Sequence, residues 1–229
     1  MHAAAVFKTM IGCAYRMAVF DLDGTLLDTT KGVLAAITYT AKRLGLLLPP
    51  DDILASACIG PPVEASFAKL FALRGTTLEE ACRCFRARYA THDLFLATPY
   101  EGIFTLLRSL QALGISLGIA TYKREAYALP LLSHFNLTPF FAVTCGTHKN
   151  ESKADVLTRA CREGGCPAHE AVMVGDTRSD AEAAAAVGCD FIGVTYGFGF
   201  QKQEERNTVR ALGFADAPDE ILPLLRRGT

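Results

Sequence analysis

Neither sign of charge predominates in this chain: 23 lysines and arginines stand against 24 aspartates and glutamates, for a formal net charge of −1. That balance excludes the broad basic face that nucleic acid or anionic lipid would need. The local exception, RCFRAR from Arg83 to Arg88, reads as the solvated face of a helix. Long hydrophobic runs are missing as well, and without ~18 uninterrupted apolar residues no membrane-spanning helix is expected. The eight cysteines form no CxxC pair and no compact ladder, which argues against a disulfide scaffold. Several lie inside apolar segments, where a free thiol behaves as a small hydrophobe, so a reducing cytoplasm is the expected compartment. His2, His92, His134, His148 and His169 have no metal-ligand spacing. Internal repeats and low-complexity tracts are also lacking.

What is present is a globular chain of 229 residues, half of them hydrophobic, enough for one large core or one core with a smaller attached domain. The first 16 residues read as an N-terminal extension. They make a poor signal peptide, because no basic segment leads them and Lys8 interrupts the apolar stretch. From Met17 onward, short apolar runs alternate with amphipathic stretches. Met17–Phe20, 115–121, 140–145, 171–175 and 191–195 are expected strands; 103–113, 126–135, 154–163 and 180–187 are expected helices. Such alternation specifies an α/β fold, a Rossmann-like, mostly parallel sheet with helices on both faces. The interval 30–98 breaks the rhythm with helical patterns and no strand, and it is too long for a loop. It is expected to form a small α-helical domain inserted after the first strand, with 17–29 and 99–229 forming the core.

Ligands of open parallel sheets bind beyond the carboxyl ends of the strands. Polar residues gather at those ends here: Asp21-Leu-Asp23-Gly24-Thr25 after the first strand, Thr121-Tyr122-Lys123 after the second, Lys153 at a helix start after the third, and Gly175-Asp176-Thr177-Arg178-Ser179-Asp180 after the fourth. A calcium loop starting at Asp21 fails, because Leu26 occupies the sixth position, where glycine is required, and Gly32 the twelfth, where an acid is required.

DLDGT, Thr121, Lys153 and GDTRSD resemble, in order and on the right elements, the four motifs of the haloacid dehalogenase superfamily. The likeness covers nearly the whole chain from about Met17, and the helical insert resembles the cap of its phosphatase branch. IGPPVEASF, TPYEGI and VGDTRSD look closest to phosphoglycolate-phosphatase-like proteins. The resemblance implies a Mg²⁺-dependent phosphatase that forms an aspartyl-phosphate on Asp21. Asp23 is its acid and base, Thr121 and Lys153 hold phosphate, and Asp21, the Asp23 carbonyl and Asp176 bind the metal. Asp180 then steadies Lys153 or a metal-bound water. The physical chemistry agrees: a carboxylate approaching a dianionic phosphate needs charge neutralisation, and Mg²⁺ favours one or two carboxylates beside substrate oxygens.

Gly24, Tyr122, Lys123 and Arg86 are further candidates for contact with substrate, and the Gly60-Pro61-Pro62 turn is either a stiff hinge or a substrate-facing loop. Two departures stand out. Tyr122 occupies a position where the family often has asparagine, and KNESKADVL makes Lys149 a rival to Lys153, which is preferred because it leads directly into a helix. Asp23 argues against a dehalogenase, whose leaving halide needs no proton, and against a phosphonate-cleaving enzyme; a mutase stays open. The expected partner is a small phosphorylated metabolite: phosphoglycolate first, then a nucleoside 5′-monophosphate, then pyrophosphate. The competing reading is a catalytically silent relative that binds a phosphorylated ligand. No nucleic-acid or membrane partner is expected, and the chain is taken as monomer or homodimer.

Overall fold

The computed structural model describes residues 15–58 and 62–227. Most of the expected N-terminal extension, together with Gly60 and Pro61, lies outside the described residues. The chain divides into two compact units, one formed by residues up to Leu27 together with those from Pro99 onward, the other by Asp28–Thr98.

The first unit is built on a six-stranded sheet: β1 (Met17–Phe20), β4 (Ser116–Arg124), β5 (Val143–Thr147), β6 (Ala171–Gly175), β7 (Asp190–Val194) and β8 (Gly213–Ala215). Their order is β5-β4-β1-β6-β7-β8, and every pairing is parallel. Two-residue strands, β2 (Leu27–Asp28) and β3 (Thr98–Pro99), pair where the chain passes between units. β1 and β6 are buried along their whole length, as expected of central parallel strands covered on both faces. The helices of this unit are α5 (Ile103–Ala112), α6 (Glu125–His134), α7 (Lys153–Glu163), α8 (Arg178–Val187), α9 (Gln203–Arg206) and α10 (Ile221–Arg227). α7 and α8 pack together over one face, where Val156, Leu157, Ala160 and Ala184 meet Met17, Val19 and Met173. By the two-residue period of a strand, Ala18 and Phe20 point to the opposite face. Tyr15 and Arg16 are tied to this unit: the Tyr15 hydroxyl donates to Asp190 (2.6 Å), and Arg16 pairs with Glu170 (2.8 Å).

Strand boundaries depart most from the sequence expectation at β5 and β4, while β7 is offset by one residue. Phe140 belongs to a 3₁₀ turn (Thr138–Phe140) that contains Pro139, so β5 begins three residues later than expected. β4 runs on through Tyr122 and Lys123 to Arg124, with a register shift between Thr121 and Arg124. A bulge of this kind re-aims side chains at the end of a strand. β8 had no sequence signal; its three residues are too short for a period to register.

The second unit is helical. It comprises α1 (Thr30–Arg43), α2 (Asp51–Cys58), α3 (Val63–Phe71) and α4 (Gly75–Arg88), the last running into a π-turn at Tyr89–Asp93. Phe67 lies edge-on to Phe85, with ring centroids 6.1 Å apart, and Phe85 stacks on Tyr89 at 5.4 Å. Arg88 holds buried Asp93 through two hydrogen bonds of 2.8 and 3.0 Å. Gly32 makes room for the π-turn, because a Cβ there would lie 2.3 Å from the Asp93 carbonyl oxygen.

Candidate active site

β1 is the point from which the sheet grows both ways, with β4 and β5 on one side and β6 to β8 on the other. A crevice opens at the carboxyl end of such a switch strand, and Asp21 stands there. Its amide donates to the Val174 carbonyl (2.9 Å), so the first residue beyond β1 is still held by β6. Its side chain is buried with Oδ1 2.8 Å from Lys153 Nζ.

Lys153 opens α7, and two features fix that helix start. Ser152 and Asp155 form a reciprocal capping box: Ser152 N–H donates to Asp155 (2.9 Å), and Asp155 N–H donates to Ser152 Oγ (3.1 Å). Arg159, one turn further along, reaches back to the Gly146 carbonyl (2.6 Å) and to Glu151 (3.1 Å), pinning the loop before the helix. Lys153 is 3% exposed and touches a second acid, Asp180 Oδ1, at 2.8 Å. Lys149, the rival, is exposed. The other oxygen of Asp180 accepts from the amide (3.0 Å) and hydroxyl (2.6 Å) of Thr177. Asp180 thus secures the start of α8 and grips Lys153.

Asp176 is fully buried beside Asp21 and Asp180; one carboxylate oxygen from each of the three lies within 4.8 Å of the others. Thr25 Oγ1 donates to Asp176 Oδ1 (3.3 Å), and the Phe198 amide donates to Oδ2 (2.8 Å). Gly24 adopts φ +79°, and a Cβ there would fall 2.2 Å from Asp176 Oδ2, so only glycine fits at this position. Gly197 is equally confined: its Cβ would lie 2.2 Å from the Gly24 carbonyl oxygen and 2.5 Å from Asp176 Cβ.

At the end of β4, the hydroxyl oxygen of buried Thr121 accepts from the Lys123 amide (3.2 Å), which leaves its own proton free to donate to a ligand. The Tyr122 ring centroid lies 5.7 Å from the Lys153 ammonium, a cation–π distance. Lys123 Nζ lies 2.8 Å from Asp23 Oδ2, while Asp23 Oδ1 is buried without a hydrogen-bond partner.

Four carboxylates (Asp21, Asp23, Asp176, Asp180) therefore face two ammonium groups (Lys123, Lys153), a formal excess of two negative charges. Burial pushes the Asp21 carboxyl up to about 6, against the pull of Lys153, and the charges of Asp180 and Asp23 add to the rise. Burial, then Asp180 and Asp21, hold the Asp176 carboxyl well above its ordinary value. Lys153 goes the other way: burial would lower it, but Asp180 and Asp21 keep it firmly charged. A donor set of crowded carboxylates with an uncompensated charge of two fits a divalent, oxygen-preferring cation.

The family model described as haloacid dehalogenase-like hydrolase matches residues 18–194. The chain belongs to that family. It is 31% identical over 209 residues to the tyrosine-protein kinase PtkA of Mycobacterium tuberculosis, covering 90% of this chain and 71% of PtkA. The solved structure of PtkA superposes with a TM-score of 0.80 at 32% identity, covering 92% of this chain and 98% of that one. The chain is 34% identical over 190 residues to a phosphoglycolate phosphatase of Agrobacterium fabrum, 80% of this chain and 81% of the relative. It is 29% identical over 192 residues to a 5′-nucleotidase of Pseudomonas aeruginosa, 82% of this chain and 86% of the relative.

Arg86, the residue singled out on the helical unit, is ion-paired with Glu64 of the same unit. Sequence reasoning missed the segment after β7. Tyr196 donates its hydroxyl to the Thr25 carbonyl (3.0 Å), and the loop through Phe198 supplies the amide on Asp176. The GFG spacing of Gly197 to Gly199 was the available signal, since closely spaced glycines mark a backbone that must approach something.

Proposed function

We propose that this haloacid dehalogenase-like hydrolase is a Mg²⁺-dependent phosphatase of small phosphomonoesters, with phosphoglycolate as the first candidate. The observation that carries the reading is the Asp21–Lys153–Asp180 arrangement. Lys153 fixes one oxygen of a buried carboxylate, orients the other for attack, and is itself fixed by a helix-start acid.

In this reading Asp21 Oδ2 attacks phosphorus and the bond to the leaving oxygen breaks, giving an aspartyl-phosphate. Asp23 gives its proton to the departing oxygen, then takes one from the water that attacks phosphorus and releases Asp21. Thr121 donates its hydroxyl proton to a phosphate oxygen, and Lys153 lends it positive charge. Asp21, Asp176 and the Asp23 carbonyl would hold the cation, which supplies charge neutralisation between carboxylate and phosphate. The family resemblance assigns the helical insert, 30–98, the part of a cap that would read the substrate beyond phosphate. The buried free thiols among the described residues suit a reducing, cytoplasmic setting.

The 5′-nucleotidase relative supports nucleoside monophosphates as the alternative substrates, and the relative named a tyrosine kinase adds a further acceptor to test. Phosphate release is measured from phosphoglycolate, AMP, pyrophosphate and sugar phosphates, with and without Mg²⁺, beside an ATP and tyrosine-peptide arm. Asp21→Asn should abolish turnover, and brief mixing of the wild type with substrate should leave a hydroxylamine-labile phosphate on the protein. Equal background release by wild type and Asp21→Asn across the panel would leave the catalytically silent, ligand-binding relative as the better account.

A further inference from the structure

Lys123, a candidate for substrate contact from the sequence, has its ammonium paired with Asp23. It lies 2.8 Å from Asp23 Oδ2, with a side chain 6% exposed. The Asp23 side chain is 23% exposed, and its other oxygen, Oδ1, has no hydrogen-bond partner. One oxygen is pinned and its twin is left unused. The pin depends on the way β4 ends: the register shift between Thr121 and Arg124 places Lys123 beyond the regular ladder, and its amide is tied to Thr121 Oγ1. The same two-residue step therefore sets both the phosphate-binding hydroxyl and the cation on Asp23.

We propose that Lys123 is a positioning residue for the proton transfer at the leaving group, acting through Asp23 and not by binding phosphate. This rests on the phosphatase reading above. By fixing Oδ2, Lys123 sets the rotation of the carboxyl group and so the direction in which Oδ1 presents its proton. In the first half-reaction Asp21 forms a bond to phosphorus as the ester P–O bond breaks, and the proton on Asp23 moves to the departing oxygen. In the second, water gives a proton to Asp23 as its oxygen bonds to phosphorus and Asp21 is released. Lys123 keeps its own proton throughout.

The consequence is a dependence on leaving group. An alkyl phosphate expels a strongly basic oxygen and needs the acid; p-nitrophenyl phosphate expels a weakly basic one and does not. kcat/KM, which reports the steps up to formation of the aspartyl-phosphate, is compared for p-nitrophenyl phosphate and for whichever of phosphoglycolate and AMP the wild type turns over faster. Lys123→Met should lose about 10²-fold on the alkyl ester and stay within about 3-fold on the aryl ester. Asp23→Asn should show the same signature. The double variant should be no worse than Asp23→Asn alone, because the two residues act as one unit. Lys123→Arg, which can still pair with Asp23, should recover most of the alkyl-ester rate, and it keeps the comparison open should the methionine variant fold poorly.

Equal losses on both esters would overturn the proposal and make Lys123 a phosphate contact. Losses that multiply in the double variant would overturn it as well, as would a wild type active on the aryl ester alone. A wild type inactive on every ester would sink the phosphatase reading itself, which is a different failure.

Discussion

Replacing Lys153 by methionine keeps the length and bulk of the side chain and deletes its charge, so no large cavity complicates the result. In the wild type the ammonium is 2.8 Å from both Asp21 and Asp180, and all three groups are buried. Removing one partner of a buried ion pair strands the other; that costs roughly 3–5 kcal/mol. Here two carboxylates are stranded at once, with Asp176 close by, and the loss should reach that range at pH 7.5 without metal. The sign with pH follows from linkage. Lys153 is held above its ordinary value, so its contribution is fully present at any pH below about 10. Asp21 and its neighbour Asp176 are raised, so the folded variant gains protons relative to the unfolded chain as pH falls, and the loss should shrink at pH 5.5. Urea unfolding of wild type, Lys153→Met and the exposed control Lys149→Met, in EDTA at both values, measures this. The control should stay within about 0.5 kcal/mol of wild type. A loss below about 1 kcal/mol for Lys153→Met at pH 7.5, or one as large at pH 5.5, would refute the claim that the lysine neutralises a buried acid cluster.

Metal-free wild type should itself gain stability on mild acidification. With the Asp21 carboxyl at about 6 when folded, its penalty is present above that value and relieved below it; about 1 kcal/mol should return between pH 7.5 and 5.5. The difference between wild type and Asp21→Asn in urea titrations isolates this part, and saturating Mg²⁺ should abolish it. Gly197→Ala forces a methyl group against the Gly24 carbonyl and Asp176, and should lower kcat/KM by at least about 10²-fold, consistent with ångström-scale misplacement. Circular dichroism should show its secondary structure retained. Ser152→Ala removes the cap of α7 and should cost about 1 kcal/mol in urea unfolding.

The central strands and the acids that follow them were legible because burial on both faces leaves a plain mark. MAVF and AVMVG are uninterrupted apolar runs, each ending abruptly in glycine or aspartate. Lys153 could be preferred to Lys149 because a helix start holds a side chain in place and a loop does not. The Phe198 amide on Asp176 was not legible, since a main-chain donor has the same chemistry whatever its side chain. Nor was the Lys123–Asp23 pair: the residues are 100 positions apart, and the bulge that joins them has no composition of its own. Arg86 has a partner that was equally hidden. Glu64, with which it is ion-paired, sits on a different helix, where no local spacing reveals it.

The crowding of acids beyond β1 and β6 also bears on how such a chain could drift. Asparagine at position 21 has almost the shape of aspartate and removes a buried charge that Asp176 and Asp180 oppose. Inactivation at that position should therefore leave the folded state as robust as before, or more so, and selection for stability alone would not remove it. A demand for function, not for stability, keeps three carboxylates in so dry a place.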